Sequence, residues 1–383
     1  MAPRTIALVV SSFVPRVGGV EEHVLHVALE LHRRGHRPVV WSVDQGDEGT
    51  VAEVGGVPVR YLPCPLPARK AAALASFAYR APAAAVAWRR AYVGDRPALL
   101  HVHCFGPNGV WAGALADMTR TPLVVTSHGE TTGDAHGVFD VSGLARAALR
   151  RAMTTADAVT GCSQATLDDL EGRFGLATGR GRVVPNGIDL GVAASRPTGW
   201  ALPDRYLLAV GRAVRTKGFD LLLEAVALAR LPEDLHLVIA GDGPDLAPLR
   251  AFAEALGISG TVVFPGMLTR GEVAHVMSHA EALVVPSRAE AFGITVLEGW
   301  RAAIPVVATT RGGPPEFVTD GVDGLLVDPV DVRALAATLE RLAANPAQRA
   351  ALGAAGHARV PDFSWRRVVD EYVAIYDRTL AGG

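Results

Sequence analysis

The sequence predicts an α/β protein built from two successive Rossmann-like halves, each a parallel sheet flanked by helices. Three observations carry this. The 383 residues exceed what one hydrophobic core usually organises, so two domains of roughly 150–200 residues are expected. Short β-branched runs alternate with Ala/Leu-rich helical patterns, the sign of βαβ units. The alternation then lapses over a Gly-, Pro- and Ser-bearing segment, 186–203, and restarts, which marks an interdomain linker.

In the first half, strands are expected at 5–10, 38–41, 57–61, 99–102, 123–126, 158–161 and 183–184, with helices over 21–32 and 143–152. In the second, strands are expected at 206–210, 236–240, 261–264, 282–285, 305–308 and 324–327. Helices there cover 217–229, 246–256, 295–302 and 332–343. After Pro361, the residues Trp365, Val368, Val369, Tyr372, Ile375 and Tyr376 recur at spacings of three and four, which predicts an amphipathic helix. The expected domains are therefore 1–195 and 203–361, followed by the helical tail 362–383.

With 49% hydrophobic and 20% charged residues the chain is globular, and a net charge of −2 gives no bulk attraction for nucleic acid. A polyanionic ligand would have to be held by a few placed cations. Three scattered cysteines, Cys64, Cys104 and Cys162, suit a reducing compartment better than a disulfide framework. The opening residues enter a strand-like run without the apolar core and cleavage site of a signal peptide, and no apolar run is long enough to span a bilayer. A cytoplasmic, soluble protein is expected.

Three stretches carry candidate chemistry. Gly18-Gly19 lies between the first strand and the first helix, where a backbone without side chains can approach a bulky group beside free helix N–H groups. The spacing does not match the dinucleotide fingerprint. Arg212, after a strand, and Lys217, expected to open a helix, place two cations where a diphosphate would be held, one as a fork and one as a point charge. Pro286-Ser287-Arg288-Ala289-Glu290-Ala291-Phe292-Gly293-Ile294-Thr295-Val296-Leu297-Glu298 sets two carboxylates eight positions apart. Glu290 would accept from sugar hydroxyls beside the N–H groups of Phe292, Gly293 and Ile294, and Glu298 would bind a diol such as a ribose.

With these motifs in order, the sequence closely resembles the retaining family 4 glycosyltransferases of the GT-B fold. The resemblance covers nearly the whole chain. It rests on Gly18-Gly19-Val20-Glu21, His101-Val102-His103, Thr126-Ser127-His128-Gly129, Pro185-Asn186-Gly187-Ile188-Asp189 and Gly211-Arg212 with Lys217-Gly218. It continues through Gly241-Asp242-Gly243-Pro244, the Glu290 and Glu298 pair, and Pro305-Val306-Val307 with Gly312-Gly313 and Glu316. The resemblance implies two Rossmann-like domains with parallel sheets facing an interdomain cleft, and a donor held mostly by the second. It further implies that Arg212 and Lys217, with the Gly18-Gly19 backbone, hold a diphosphate. Glu290 and His128 would contact the donor sugar, Glu298 the ribose, and Met267 in Gly266-Met267-Leu268 the base. Transfer would retain the anomeric configuration, with the leaving phosphate taking the acceptor's proton and no essential metal. UDP is the commonest donor base expected for such a family, with GDP second. The helix after Trp365 would pack back on the first domain. One departure stands out: Ala303 occupies a position where the family commonly has glycine.

The acceptor is expected at segments 55–95 and 128–142, with His103, Glu130 and Asp134 as candidate contacts. It would be a small polar metabolite such as a cyclitol or a natural-product precursor, or else a lipid-linked or cell-envelope glycan at the membrane surface. Between Gly55 and Gly94 there are six basic residues and no acidic one, which suits either a solvated helical face or a peripheral contact with anionic lipid. His101, His103 and Cys104 lack evident third and fourth metal ligands and read as a polar cluster at a strand end. Gly161-Cys162-Ser163-Gln164-Ala165 only partly imitates a nucleophile elbow, and Ser163 reads as a helix cap. A Rossmann oxidoreductase and a sugar-nucleotide binding protein without turnover are the other classes weighed.

Overall fold

The structure, a computed structural model, describes residues 3–16, 18–46, 50–67, 71–133 and 138–382. The chain divides into two compact units, Met1–Gly187 with Trp365–Gly383, and Ile188–Ser364.

Among the described residues, the first unit's strands are β1 (Thr5–Val10), β2 (Arg37–Val43), β3 (Glu53–Val54), β4 (Val57–Leu62), β5 (Leu99–His103), β6 (Leu123–Ser127), β7 (Ala158–Gly161) and β8 (Gly181–Val183). They form one sheet in the order β3-β4-β2-β1-β5-β6-β7-β8, parallel except for the short β3–β4 pair. Alternate residues feed two cores. Ala7, Val9, Leu100, Val102 and Val125 face one side, and Ile6, Leu8, Val10, Leu99 and Val124 face the other, where the helix Trp365–Ala381 packs. Because β1 and β5 are neighbours and the order runs outward from them in both directions, the sheet's switch point lies between their C-terminal ends.

The second unit repeats the plan with β9 (Tyr206–Val210), β10 (His236–Ala240), β11 (Val262–Gly266), β12 (Ala282–Val285), β13 (Val306–Thr309) and β14 (Leu325–Val327). The order is β11-β10-β9-β12-β13-β14, all parallel, so the switch point falls between β9 and β12. The strand ends carrying Gly211-Arg212 and Pro286-Ser287 flank it.

The expected boundary is corrected. Residues 188–195 belong to the second unit, not the first, because Ile188 N donates to Phe363 O at 2.8 Å, Arg301 Nη1 to Asp189 O at 3.1 Å and Ser195 N to Gly271 O at 3.0 Å. The segment read as a linker is an irregular strap pinned by its own backbone. At the other end, residues 362–364 also stay with the second unit, and the tail helix starts at Trp365. Its inward face places Tyr372 Oη 3.0 Å from His23 Nε2 and Tyr376 Oη 2.7 Å from His101 Nδ1.

Several helices escape the apolar spacing rule, including Pro107–Thr119, Arg270–His279 and Pro346–Arg359. Each carries a signal in its cap instead: proline at the first turn in two of them, and a Thr269–Glu272 capping box in the third. The helix Ile294–Arg301 ends with the N–H of Ala303 on Trp300 O at 2.9 Å and that of Ile304 on Gly299 O at 3.2 Å. This is a Schellman closure with alanine at φ +57°, where glycine is normally found. Ala303→Gly is therefore expected to stabilise the protein by about 0.5–1 kcal/mol, since relief of left-handed strain exceeds the added chain entropy. Denaturant unfolding checks it, and a lower midpoint would contradict it.

Candidate active site

In the second unit the candidate residues collect along the C-terminal edge of the sheet. Arg212 follows Gly211 at the end of β9 and is exposed. Lys217 does not open a helix, as its sequence position suggested. It ends a single 3-10 turn, Arg215–Lys217, and Gly218 at φ +67° caps the helix Phe219–Leu228. A side chain at Gly218 would collide with the carbonyl of Pro286, so glycine here lets the two loops touch.

That contact brings the motifs together. Lys217 Nζ lies 2.7 Å from Glu290 Oε2, and the same oxygen accepts from Ser287 Oγ at 2.8 Å. Ser287 is 0% exposed, a buried hydroxyl that fixes the carboxylate. Arg288 grips Asp220 through two bonds of 2.6 and 2.7 Å and donates Nη1 to Arg215 O at 3.0 Å, while its N–H reaches Thr216 O at 2.8 Å. Burial pushes the Asp220 carboxyl up, but the Arg288 guanidinium outweighs it and the net shift is downward. The loop 286–293 is thus clamped onto the Lys217 turn. Ser287, Arg288 and Asp220 were not singled out from sequence, since serine and an ion pair carry no spacing signal of their own.

Phe292 is buried against Phe317, with ring centroids 4.8 Å apart, and Gly293 at φ +102° starts the helix Ile294–Arg301 without a side-chain cap. Glu298 lies half-buried on that helix, beside Arg301, whose guanidinium is lowered by burial. Met267 follows Gly266 at the end of β11 and is 78% exposed. Arg212, Lys217, Met267, Glu290, Phe292, Gly293, Ile294 and Glu298 therefore share one sheet edge and the helix rising from it. The direct contact is between Lys217 and Glu290.

In the first unit, Gly18 caps the helix Gly19–Arg33 and, lacking a side chain, makes no side-chain cap bond of its own. The Glu21 carboxylate folds back toward Gly18 and hydrogen-bonds Ser12 Oγ, an anion seated where the helix end is positive.

At the ends of β5 and β6 lies a buried histidine group. His101 Nε2 meets Thr126 Oγ1 at 2.7 Å, and Thr126 Oγ1 meets Thr160 Oγ1 at 2.5 Å. His103 Nδ1 lies 3.2 Å from His128 Nε2. Burial drives all these rings toward their neutral forms: His23, His101 and His103 well below the usual value, and His128 down to about 4. The shared face expected of His101 and His103 is present, with ring centroids 3.9 Å apart. Sequence reasoning missed His23 and the two tyrosines, because a helix and a chain terminus deliver them from far away.

Two acceptor candidates are engaged within the fold. His103 is fully buried and turned toward His128, not toward solvent. Glu130 uses its carboxylate inside the fold, accepting from Phe105 N at 2.9 Å, His128 N at 2.8 Å and Ser127 Oγ at 3.0 Å, while burial raises its pKa. It positions the His128 turn. Glu130→Ala orphans two backbone N–H groups, at roughly 1–3 kcal/mol each, and should lower the melting temperature clearly; an unchanged melt would contradict this role. Asp134, the third candidate, lies outside the described residues. Ser163 caps the helix Gln164–Phe174 by accepting from Thr166 N at 3.2 Å, as a cap and not as a nucleophile.

Comparison with known proteins fits this layout. Residues 17–192 match the family model described as Glycosyltransferase Family 4, and residues 193–359 match Glycosyl transferases group 1. The chain is 31% identical to a D-inositol 3-phosphate glycosyltransferase of Mycolicibacterium gilvum, over 95% of this chain and 85% of the relative. It is 32% identical to a GDP-mannose-dependent alpha-(1-6)-phosphatidylinositol monomannoside mannosyltransferase of Mycolicibacterium smegmatis, over 67% of this chain and 73% of the relative. Among solved structures, sucrose-phosphate synthase from Thermosynechococcus elongatus superposes with a TM-score of 0.82 at 23% identity, covering 99% of this chain and 100% of that one. HepE from Anabaena in complex with UDP-glucose gives 0.76 at 20% identity, covering 97% and 99%.

Two parallel α/β units with these neighbours show the GT-B fold, and the two family models make the chain a glycosyltransferase. The chain belongs to glycosyltransferase family 4.

Proposed function

We propose that the protein is a retaining transferase that moves a sugar from a nucleotide-diphosphate donor to a hydroxyl of a small cyclitol-type polyol. UDP is the first donor base to test and GDP the second. The observation that carries the reading is the Lys217–Glu290 pair at the switch point of the second sheet. A cation already neutralised by a carboxylate is poised to exchange it. The incoming diphosphate takes Lys217 and Arg212, and Glu290, still held by Ser287, turns to the sugar hydroxyls. Charge growing on the leaving diphosphate is stabilised by the two cations, so no metal is required for that step. Glu298 binds the ribose diol, Met267 borders the base, and the neutral His128 ring contacts the donor sugar. The departing phosphate takes the acceptor's proton on the same face, which retains configuration.

Inositol derivatives head the acceptor list because two relatives are a D-inositol 3-phosphate glycosyltransferase and a phosphatidylinositol monomannoside mannosyltransferase. The test is a thermal-shift screen of UDP- and GDP-sugars. It is followed by an assay of nucleotide diphosphate released from the stabilising donor with inositol and inositol phosphates. Release that depends on acceptor supports transfer; no release with any donor and acceptor pair overturns it.

A lipid-linked acceptor is the second reading, favoured by the helix Ala71–Asp95. Trp88 and Ala91 anchor it to the core, while Tyr79, at 86% exposure, Val86 and Val93 point outward with Arg80, Arg89 and Arg90. Among the described residues no helix is long and apolar enough to cross a membrane, so any contact would be peripheral. Salt-sensitive binding to anionic vesicles distinguishes this reading from the soluble polyol.

A further inference from the structure

Buried polar atoms without partners call for an explanation, and three of them belong to this histidine group and its neighbour Asn186. His23 Nδ1, His103 Nε2 and Asn186 Oδ1 are all buried with no hydrogen-bond partner. One ring nitrogen from each of His23, His103 and His128 lies within 4.8 Å of the others. His103 Nδ1 and His128 Nε2 stand 3.2 Å apart. Two nitrogens bound to one tetrahedral zinc at about 2.0–2.1 Å are themselves separated by roughly 3.3 Å, so this pair already has the spacing of two ligands.

We propose that His23, His103 and His128 form a binding site for one transition-metal ion of the zinc class, with Asn186 Oδ1 beside its fourth position. The donor set is the right chemistry: neutral imidazoles favour zinc, cobalt or copper over magnesium or calcium. Burial favours the neutral rings, the form that binds such an ion, and the N–H shared between His103 Nδ1 and His128 Nε2 must move to another ring nitrogen when the ion binds. His23 Nε2 meets the Tyr372 hydroxyl at 3.0 Å, which orients the ring and leaves Nδ1 as its nitrogen without a partner. Asn186 lies close enough to His23 and His128 to act on the protonation of both. Closing the set needs the wider separations, which reach up to 4.8 Å, to shorten toward roughly 3.3 Å.

The ion takes no part in the transfer proposed above. It occupies His128, the ring assigned to the donor sugar, so it acts as an inhibitor or as a brace for the first unit.

The probe is Co2+ added to full-length protein stripped with a chelator. The expected result is uptake of one equivalent with the intense visible bands of four-coordinate cobalt, displaced by Zn2+, and a rise in melting temperature with either ion. His23→Ala and His128→Gln should each abolish the bands, while His26→Ala, whose ring stacks on Trp365 at 4.8 Å, should keep them. Circular dichroism confirms which variants fold, and the wild-type titration decides the question even if one does not. Only the pale spectrum of hydrated cobalt with wild-type protein would overturn the proposal. Bands that survive in folded His23→Ala or His128→Gln would do so too. Neither outcome touches the donor reading, which the nucleotide-release assay tests separately.

Discussion

Lys217→Ala should lower the rate of nucleotide-diphosphate release by about 10²- to 10³-fold, with a much smaller change in donor KM, the range typical for removing one donor to developing charge. Lys217 in the unliganded fold is committed to Glu290 at 2.7 Å, so binding the donor trades one ion pair for another and gains little. The benefit appears as the bond to the anomeric carbon stretches and the diphosphate gains charge that Glu290 cannot supply a partner for. The fold should survive the change. The pair is partly exposed, worth about 1 kcal/mol or less, and Glu290 remains anchored by Ser287 at 2.8 Å. Initial-rate kinetics and a thermal melt on the same preparation check both halves. Unchanged turnover would remove Lys217 from the mechanism.

The second large effect is loss of stability in mild acid. The histidines titrate near 6.5 in the unfolded chain, but burial depresses them in the fold, and His128 falls to about 4. Between those values the unfolded chain binds more protons, so stability is complete above about pH 6.5 and falls as pH drops toward 4. His128 alone accounts for roughly 3 kcal/mol at the acid limit, and the deeper rings add to it. The side chain of Asn186 opposes the shift at His23 and His128 without reversing it. Urea unfolding at pH 7.5 and pH 5 measures the difference. His128→Gln should flatten the dependence, and an equally steep profile in that variant would show that other groups carry it.

Most strands were legible because a parallel sheet buries both faces and so concentrates β-branched residues into short runs, as in Ile6, Ala7, Leu8, Val9 and Val10. What sequence spacing missed was held by other forces. Pro107–Thr119 opens with a proline and glycines that read as a turn, yet Gly109 lies flat against the Phe105 ring, where no larger residue fits. The strap from Ile188 carries no periodic pattern because backbone bonds, not apolar contacts, hold it. At the site, Arg212, Lys217, Glu290 and Glu298 were readable from strand-end position and motif order. Their real partners were not. Ser287, Arg288 and Asp220 act through geometry that arises only when Gly218 lets two loops meet. Glu130 was a candidate only through its place in segment 128–142, and its carboxylate accepts from Phe105 N and His128 N within the fold.

Hydrogen exchange with and without UDP-sugar or GDP-sugar tests the donor assignment most directly, because it reports which backbone segments a ligand covers. Slowed exchange is expected in residues 211–218 and 286–298 with one of the two donors, lost in Glu298→Ala. Protection confined to other segments, or none with either donor, would contradict it.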